Sequence, residues 1–243
     1  MTPLWTGDDV IAAIGGHGPD DWVAAAVSID ADEVQPGDLF VALRGDVDAA
    51  FANGAVAAIV AQRHTNIAQP QIIVTDPLDA LNSLARAARF RTKAKIVAVT
   101  GSVGKASTVG MLHVMLAGQG TCHTLTTRHK NIWEVPLCLA NLPADTDFAV
   151  VKIGARHPKD IRQLSRLVQP HAAIVTRVAS EHLAAFGDIT DIAQEKADLF
   201  QGLGSDGIGI FRGDDRHAAQ MRSAGKHARA ISFGEINSDW VLR

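Results

Sequence analysis

The chain has 243 residues, 47% hydrophobic and 20% charged, with a formal net charge of −3. That composition fits one large or two modest folded domains and excludes a strongly basic surface for nucleic acid or anionic membrane. Two cysteines without CxxC spacing favour reduced thiols in a cytoplasmic setting, and neither a secretory leader nor an apolar run of bilayer length is present, so no transmembrane segment is expected.

Thr6 before Gly7-Asp8-Asp9 predicts a helix start, with the hydroxyl as N-cap and acids in the first turn. Residues 27–30 predict a short strand, 35–38 a Pro-Gly turn, and 39–43 a fully buried strand. Residues 49–54 read as an alanine-rich link, with 55–61 and 72–74 as further strands. Leu78, Leu81, Leu84, Ala85 and Ala88 recur at helical spacing over 77–90. The basic cluster at 89–95 breaks that spacing and sets a domain boundary, giving domains 1–90 and 94–243.

The second half alternates. Strands are expected at 96–100, 148–153, 171–176, 208–211 and 228–233, and helices at 105–116, 161–167, 189–203 and 214–224. This pattern predicts an α/β fold: a small N-terminal α/β domain, then a parallel sheet of phosphate-loop type covered on both faces. Ligands of such sheets bind at the carboxyl ends of the strands. The segments 101–105, 152–157 and 177–182 all follow strands and should meet on one rim.

Gly101-Ser102-Val103-Gly104-Lys105 lies between a strand and a helix. Glycines let backbone N–H groups turn inward around an anion. The helix N-terminus adds partial positive charge, and the lysine neutralises phosphate oxygens. The spacing is shorter than GxxxxGK[ST], and a purely structural glycine turn is the alternative. Gly101, Ser102, Val103, Gly104, Lys105 and Ser107 form the candidate nucleotide-binding set. Ala106 occupies the place of the hydroxyl that would bind Mg²⁺.

From Thr100 through Thr108 the chain resembles the ATP loop of the Mur ligases, in particular the branch that joins D-alanyl-D-alanine to a UDP-N-acetylmuramoyl-tripeptide. Residues 34–43, 133–137, 153–158, 181–187 and 196–200 are similar to family segments and occur in the family's order. The resemblance implies a UDP-sugar domain, a central ATP domain and a third domain for the incoming amine. It also implies a reaction through an acyl phosphate.

By the same resemblance, Lys105 matches the phosphate lysine. His182 matches a histidine near a metal, and Lys196 a lysine that is carbamylated to help hold that metal. Other positions depart from the family. Lys152 stands for a glutamate that binds a second Mg²⁺, Glu134 for a glycine, Arg156 for the asparagine before His157, and Lys159 for a glycine. Lys130-Asn131 keeps one of two asparagines. Ala31-Asp32 replace a Ser-Arg pair that contacts the UDP-sugar, and the family continues where this sequence reads Arg243. The expected central domain is therefore truncated and the third domain absent.

An ammonium about 4 Å from a divalent cation is repelled by roughly 8 kcal/mol at an effective dielectric near 20. No metal ligand is therefore assigned and Mg²⁺ is not expected. ATP or ADP stays possible, with no cofactor required. Lys152 is expected either to pair with Glu181 or a carbamylated Lys196, or to turn to solvent. His157 and His182 are expected as structural hydrogen-bonding residues, and Asp214-Asp215 as a helix N-cap. The functional expectation is a pseudoenzyme for binding, scaffolding or regulation, associated with itself or another protein and without a UDP-sugar. The alternatives are an amide ligase completed by another chain, and a nucleotide sensor that works without metal.

Overall fold

Two parallel sheets organise the protein in a computed structural model that describes residues 3–124, 132–179 and 187–241. Contacts divide the chain into two units, Met1–Thr92 with Pro136–Ala144, and Lys93–Val135 with Asp145–Arg243.

In the first unit, β1 (Trp5–Thr6) runs into α1 (Gly7–Ile14). The Thr6 hydroxyl accepts from the Asp9 N–H at 3.2 Å, the expected N-cap. A short strand, β2 (Val23–Ala24), pairs antiparallel with β1. The main sheet is β3 (Ala26–Asp30), β4 (Asp38–Arg44), then, after α2 (Val47–Ala52), β5 (Ala57–Val60) and β6 (Gln71–Ile73), all parallel and in that order. Helix α3 (Pro77–Arg91) starts at Asp76, whose carboxylate caps Leu78 and Asp79.

The 49–54 link proves to be largely helix. Asp46 caps it by accepting from Asp48 N, and three alanines supply high helix propensity. The fully buried strand is also corrected: Ala42 and Leu43 are only half-buried. Pro136–Ala144 counts with this unit, where the Asn141 side chain accepts from Val27 N and donates to Val27 O, both at 2.9 Å.

The second unit contains β7 (Lys95–Thr100), α4 (Lys105–Ala117), β8 (Cys122–His123), the start of α5 (Glu134–Ala140), β9 (Phe148–Lys152), α6 (Asp160–Val168) and β10 (Ala172–Val175). It continues with α7 (Ile189–Ala197), β11 (Ile208–Arg212), α8 (Ala218–Ala224), β12 (Arg229–Gly234) and β13 (Trp240–Val241). The seven strands lie in the order β8-β9-β7-β10-β11-β12-β13, every pair parallel. This is the expected α/β class. From β7 the chain builds outward in both directions, so the carboxyl end of β7 is the topological switch point.

Three element predictions need correction. α5 was missed; its Pro136 sits in the first turn, where no intrahelical N–H is needed. The 189–203 helix tightens to a 3₁₀ turn at Asp198–Gly202. The 214–224 helix begins only at Ala218, because Arg212 grips Asp214 through two bonds of 2.8 Å and Asp215 accepts from His217 N. Asp214 and Asp215 therefore build the turn before the helix, and the N-cap position is His217. Among the described residues, no helix is long and apolar enough to cross a membrane.

Candidate phosphate-loop site

The loop after β7 is held from the neighbouring strand. Ser102 N donates to Arg177 O at 2.7 Å. The Ser102 hydroxyl donates to Ala179 O at 2.9 Å and accepts from Ala179 N at 3.0 Å. Thr176 Oγ1 donates to Val103 O at 2.6 Å. Gly101 has φ 145, and a Cβ there would lie 2.0 Å from Thr176 Oγ1, so the close approach admits only glycine. Gly104, at φ 87, is the N-cap position of α4, and no side chain caps that helix. The opening turn of α4 is the end of the helix that carries its partial positive charge. The Lys105 ammonium folds over the loop, donating to the carbonyls of Gly101 and Ser102. Ser107 is exposed in the first turn of α4, next to the loop.

A cleft of about 420 Å³ opens beside this loop, lined by Gly104, Lys105, Ala106, Glu134, Lys152, Arg156, Asp160 and Lys196 together with apolar side chains. Register explains the meeting: Lys152, the last residue of β9, pairs with Val99 of β7, just ahead of the loop. The Lys152 ammonium lies 2.7 Å from Glu134 Oε1, with the two side chains only 24% and 11% exposed. Among the described residues no well-angled hydrogen bond reaches that oxygen, so the contact is an ion pair. Of the expected partners of Lys152, Glu181 lies outside the described residues, and the contact displayed is a different one. Among the described residues the partner is Glu134, eighteen positions earlier, and the side chain does not turn away to solvent.

Lys196 is buried at the cleft wall. Its neighbour Glu195 turns to α6, accepting from Lys159 N at 2.7 Å and Ile161 N at 2.8 Å. Burial holds the Glu195 carboxyl above the usual glutamate range despite those two bonds. Asp160 accepts from the backbone N–H of Arg156 and His157. The His157 side chain itself is exposed, so the structural bond at that position is made by the backbone, not the ring. His182, Glu181, Lys130 and Asn131 lie outside the described residues. Across the sheet rim, Asp214 and Asp215 line a second cleft with Arg177, Arg212 and Arg216, and the Arg212 guanidinium holds the Asp214 carboxyl well below the usual range.

Among the described residues, the lining offers few ligands to a magnesium ion. Mg²⁺ takes oxygen ligands in near-octahedral geometry. Ala106 offers no oxygen, Lys152 brings a cation, and the described residues hold no cluster of three or more His, Cys, Asp or Glu able to bind a metal. Glu134 is the site residue sequence reading missed. It stood out there only as a departure from glycine, and its distance along the chain from Lys152 hid the pairing.

In the first unit, Ala31 is fully buried against Phe40 and Val47, while Asp32 points outward from a 3₁₀ turn. Asp30, just before it, pairs with Arg44 at 3.1 Å. The Ala31-Asp32 turn therefore presents a packed methyl and an acid, with no cation of its own.

Sheet order, glycine loop and uncapped helix define the class: a parallel α/β phosphate-loop domain. Residues 99–243 match the Mur ligase middle domain, and the chain belongs to the Mur ligase family. Among relatives, UDP-N-acetylmuramoyl-tripeptide--D-alanyl-D-alanine ligase of Escherichia coli (strain K12) is 37% identical over 89% of this chain and 50% of its own length. A crystal structure of MurF from Acinetobacter baumannii superposes with a TM-score of 0.86 at 29% identity, covering 97% of this chain and 54% of that one. MurF from Thermotoga maritima, solved in complex with ADP, gives 0.76 at 27% identity over 90% of this chain and 52% of that one. The chain spans about half the length of the curated relatives it matches.

Proposed function

We propose that this MurF homologue is a pseudoenzyme: it keeps the phosphate-loop fold for binding, scaffolding or regulation and has no ligase activity by itself. The observation that carries the reading is the Lys152–Glu134 ion pair at the end of β9. Two departures from the family pattern, an acid turned base and a glycine turned acid, meet as one contact. Together they exchange a metal-ligating carboxylate for an ammonium already satisfied by a carboxylate. Ala106 removes a further magnesium ligand next to the same cleft. The acid at Asp32 supports the view that no UDP-sugar is held by the first domain, since a dianionic diphosphate would meet a like charge there.

The second reading is an ATP-dependent amide ligase of Mur type completed by another chain. It draws support from the two lysines that still face the cleft, Lys105 and buried Lys196. Phosphate release decides between the two readings. The protein is incubated with MgATP, a UDP-N-acetylmuramoyl-tripeptide and D-alanyl-D-alanine, alone and with added cell extract. No release above the protein-free rate is expected from the purified chain or from the extract-supplemented mixture relative to extract alone. Release that disappears in Lys105→Ala overturns the pseudoenzyme reading in favour of the ligase.

A further inference from the structure

We infer that the outer face of α6 docks an acidic protein segment, with Lys159 and Arg166 as the cations that receive its carboxylates. This surface stands apart from the cleft, since neither residue lines it. The inference adds a partner to the binding role and holds whether or not ligase chemistry has been lost.

α6 is sharply two-faced. Ile161, Ser165 and Val168 are buried, whereas Lys159, Gln163 and Arg166 are exposed. These three follow one another at spacings of four and three, so they form one stripe about 10 Å long. Arg162 borders the stripe but is committed to Asp198 through two bonds of 3.0 and 2.9 Å. The one carboxylate of the helix, Asp160, accepts from Arg156 N and His157 N. Neither the Lys159 ammonium nor the Arg166 guanidinium has a hydrogen bond or ion pair among the described residues. Lys159 also sits at φ 77, a strained setting for any side chain. The fold uses its backbone, whose N–H donates to Glu195 and whose carbonyl accepts from Gln163 N. The side chain brings strain and no internal contact, which points to a use outside the chain.

The chemistry of the stripe selects the occupant. Among the described residues, no exposed large apolar or aromatic side chain falls within 156–169. A bilayer surface needs apolar groups that insert, and single-stranded nucleic acid needs aromatic rings on which bases stack. The net charge of −3 also opposes an extended polyanion at long range. A polypeptide with a few carboxylates at helical spacing instead matches two cations held on either side of an amide, Gln163.

Fluorescence anisotropy at low ionic strength tests this with a labelled helical peptide that carries glutamate at three- and four-residue spacing along one face. The same peptide with glutamine in those places is the control. Binding is expected for the glutamate peptide alone and should weaken as salt is added. Reversing the stripe with Lys159→Glu and Arg166→Glu should weaken it by about tenfold. Lys226→Glu with Arg229→Glu makes the same change in net charge at exposed residues off the stripe, and should leave the affinity unchanged. Lys159→Gly should weaken binding about threefold without lowering the thermal midpoint, a separation that a purely structural lysine would not produce. That variant relieves strain, so it remains informative if the double reversal does not fold. Absence of binding, or an equal loss from the two double variants, overturns the inference. Tighter binding of poly(U) or of phosphatidylserine vesicles than of the peptide overturns it in favour of those surfaces. Self-association at low salt that disappears on reversing the stripe overturns it in favour of a second copy. Each of these outcomes leaves the pseudoenzyme reading untouched, because phosphate release decides that separately.

Discussion

Lys159 adopts φ 77, in the left-handed region, at the N-cap position of α6. A side chain there is strained by about 1–2 kcal/mol, while glycine tolerates it and loses somewhat more backbone entropy on folding. Lys159→Gly is therefore expected to raise stability by roughly 0.5–1 kcal/mol, read as a shift in the urea midpoint without a change in slope. A lower midpoint would mean that the lysine makes a compensating contact. The glycine of the family pattern at this position had a conformational reason that the sequence alone does not display. Lys152 and Glu134 are a different kind of residue-scale fact. Each breaks the family pattern, and each alone would leave a mostly buried charge without its partner at the cleft. Lys152→Ala and Glu134→Ala should each destabilise, and the double variant should lose less than their sum, with a coupling on the order of 1 kcal/mol. Additive losses in equilibrium unfolding would show that the pair contributes nothing to the fold.

At the scale of elements, α6 starts without a side-chain cap of its own, and α7 supplies one from a distance through Glu195. Removing that carboxylate in Glu195→Ala orphans two N–H groups of the first turn, a loss on the order of 2 kcal/mol. The same residue has a pH signature. Its carboxyl is held above the ordinary value of 4.5, with burial the leading cause. A group raised in the folded state contributes stability that is complete below the unfolded value and is lost as pH rises through the folded one. Relative to Glu195→Gln, the parent protein should therefore lose stability as pH rises from about 4.5 toward neutrality. Urea unfolding at a series of pH values measures this difference, and parallel curves would refute it. Such a long-range cap cannot be inferred from spacing, since Glu195 and Lys159 are far apart in the chain. The strands and long helices were readable because apolar period and Asp, Thr or glycine boundaries are local signals. α2 and α5 were not, since a six-residue helix with three alanines and a proline-bearing first turn resemble links when taken one window at a time.

Across the whole molecule, alternation of strand and helix foretold a parallel sheet, and the strand ends foretold the rim where loop and cleft residues meet. It could not foretell which charges would touch there, because that depends on register between β7 and β9. Nor did it reveal the exposure of α4. This helix packs on β7, β8 and β9, yet none of its residues is buried. Met111, Val114 and Met115 form one exposed face, with Val114 73% accessible, and Val103 is exposed in the loop just before it. Contiguous apolar surface of this kind favours association. A second copy of the chain is the partner always present with the purified protein. Sedimentation at micromolar concentration is accordingly expected to give a mass that rises toward a dimer with loading. The paired substitution Val114→Glu and Met115→Lys should restore the monomer and give a thermal midpoint that no longer rises with protein concentration. A parent protein that sediments as a monomer throughout that range, or a dimer indifferent to the two charges, would remove α4 as the associating surface.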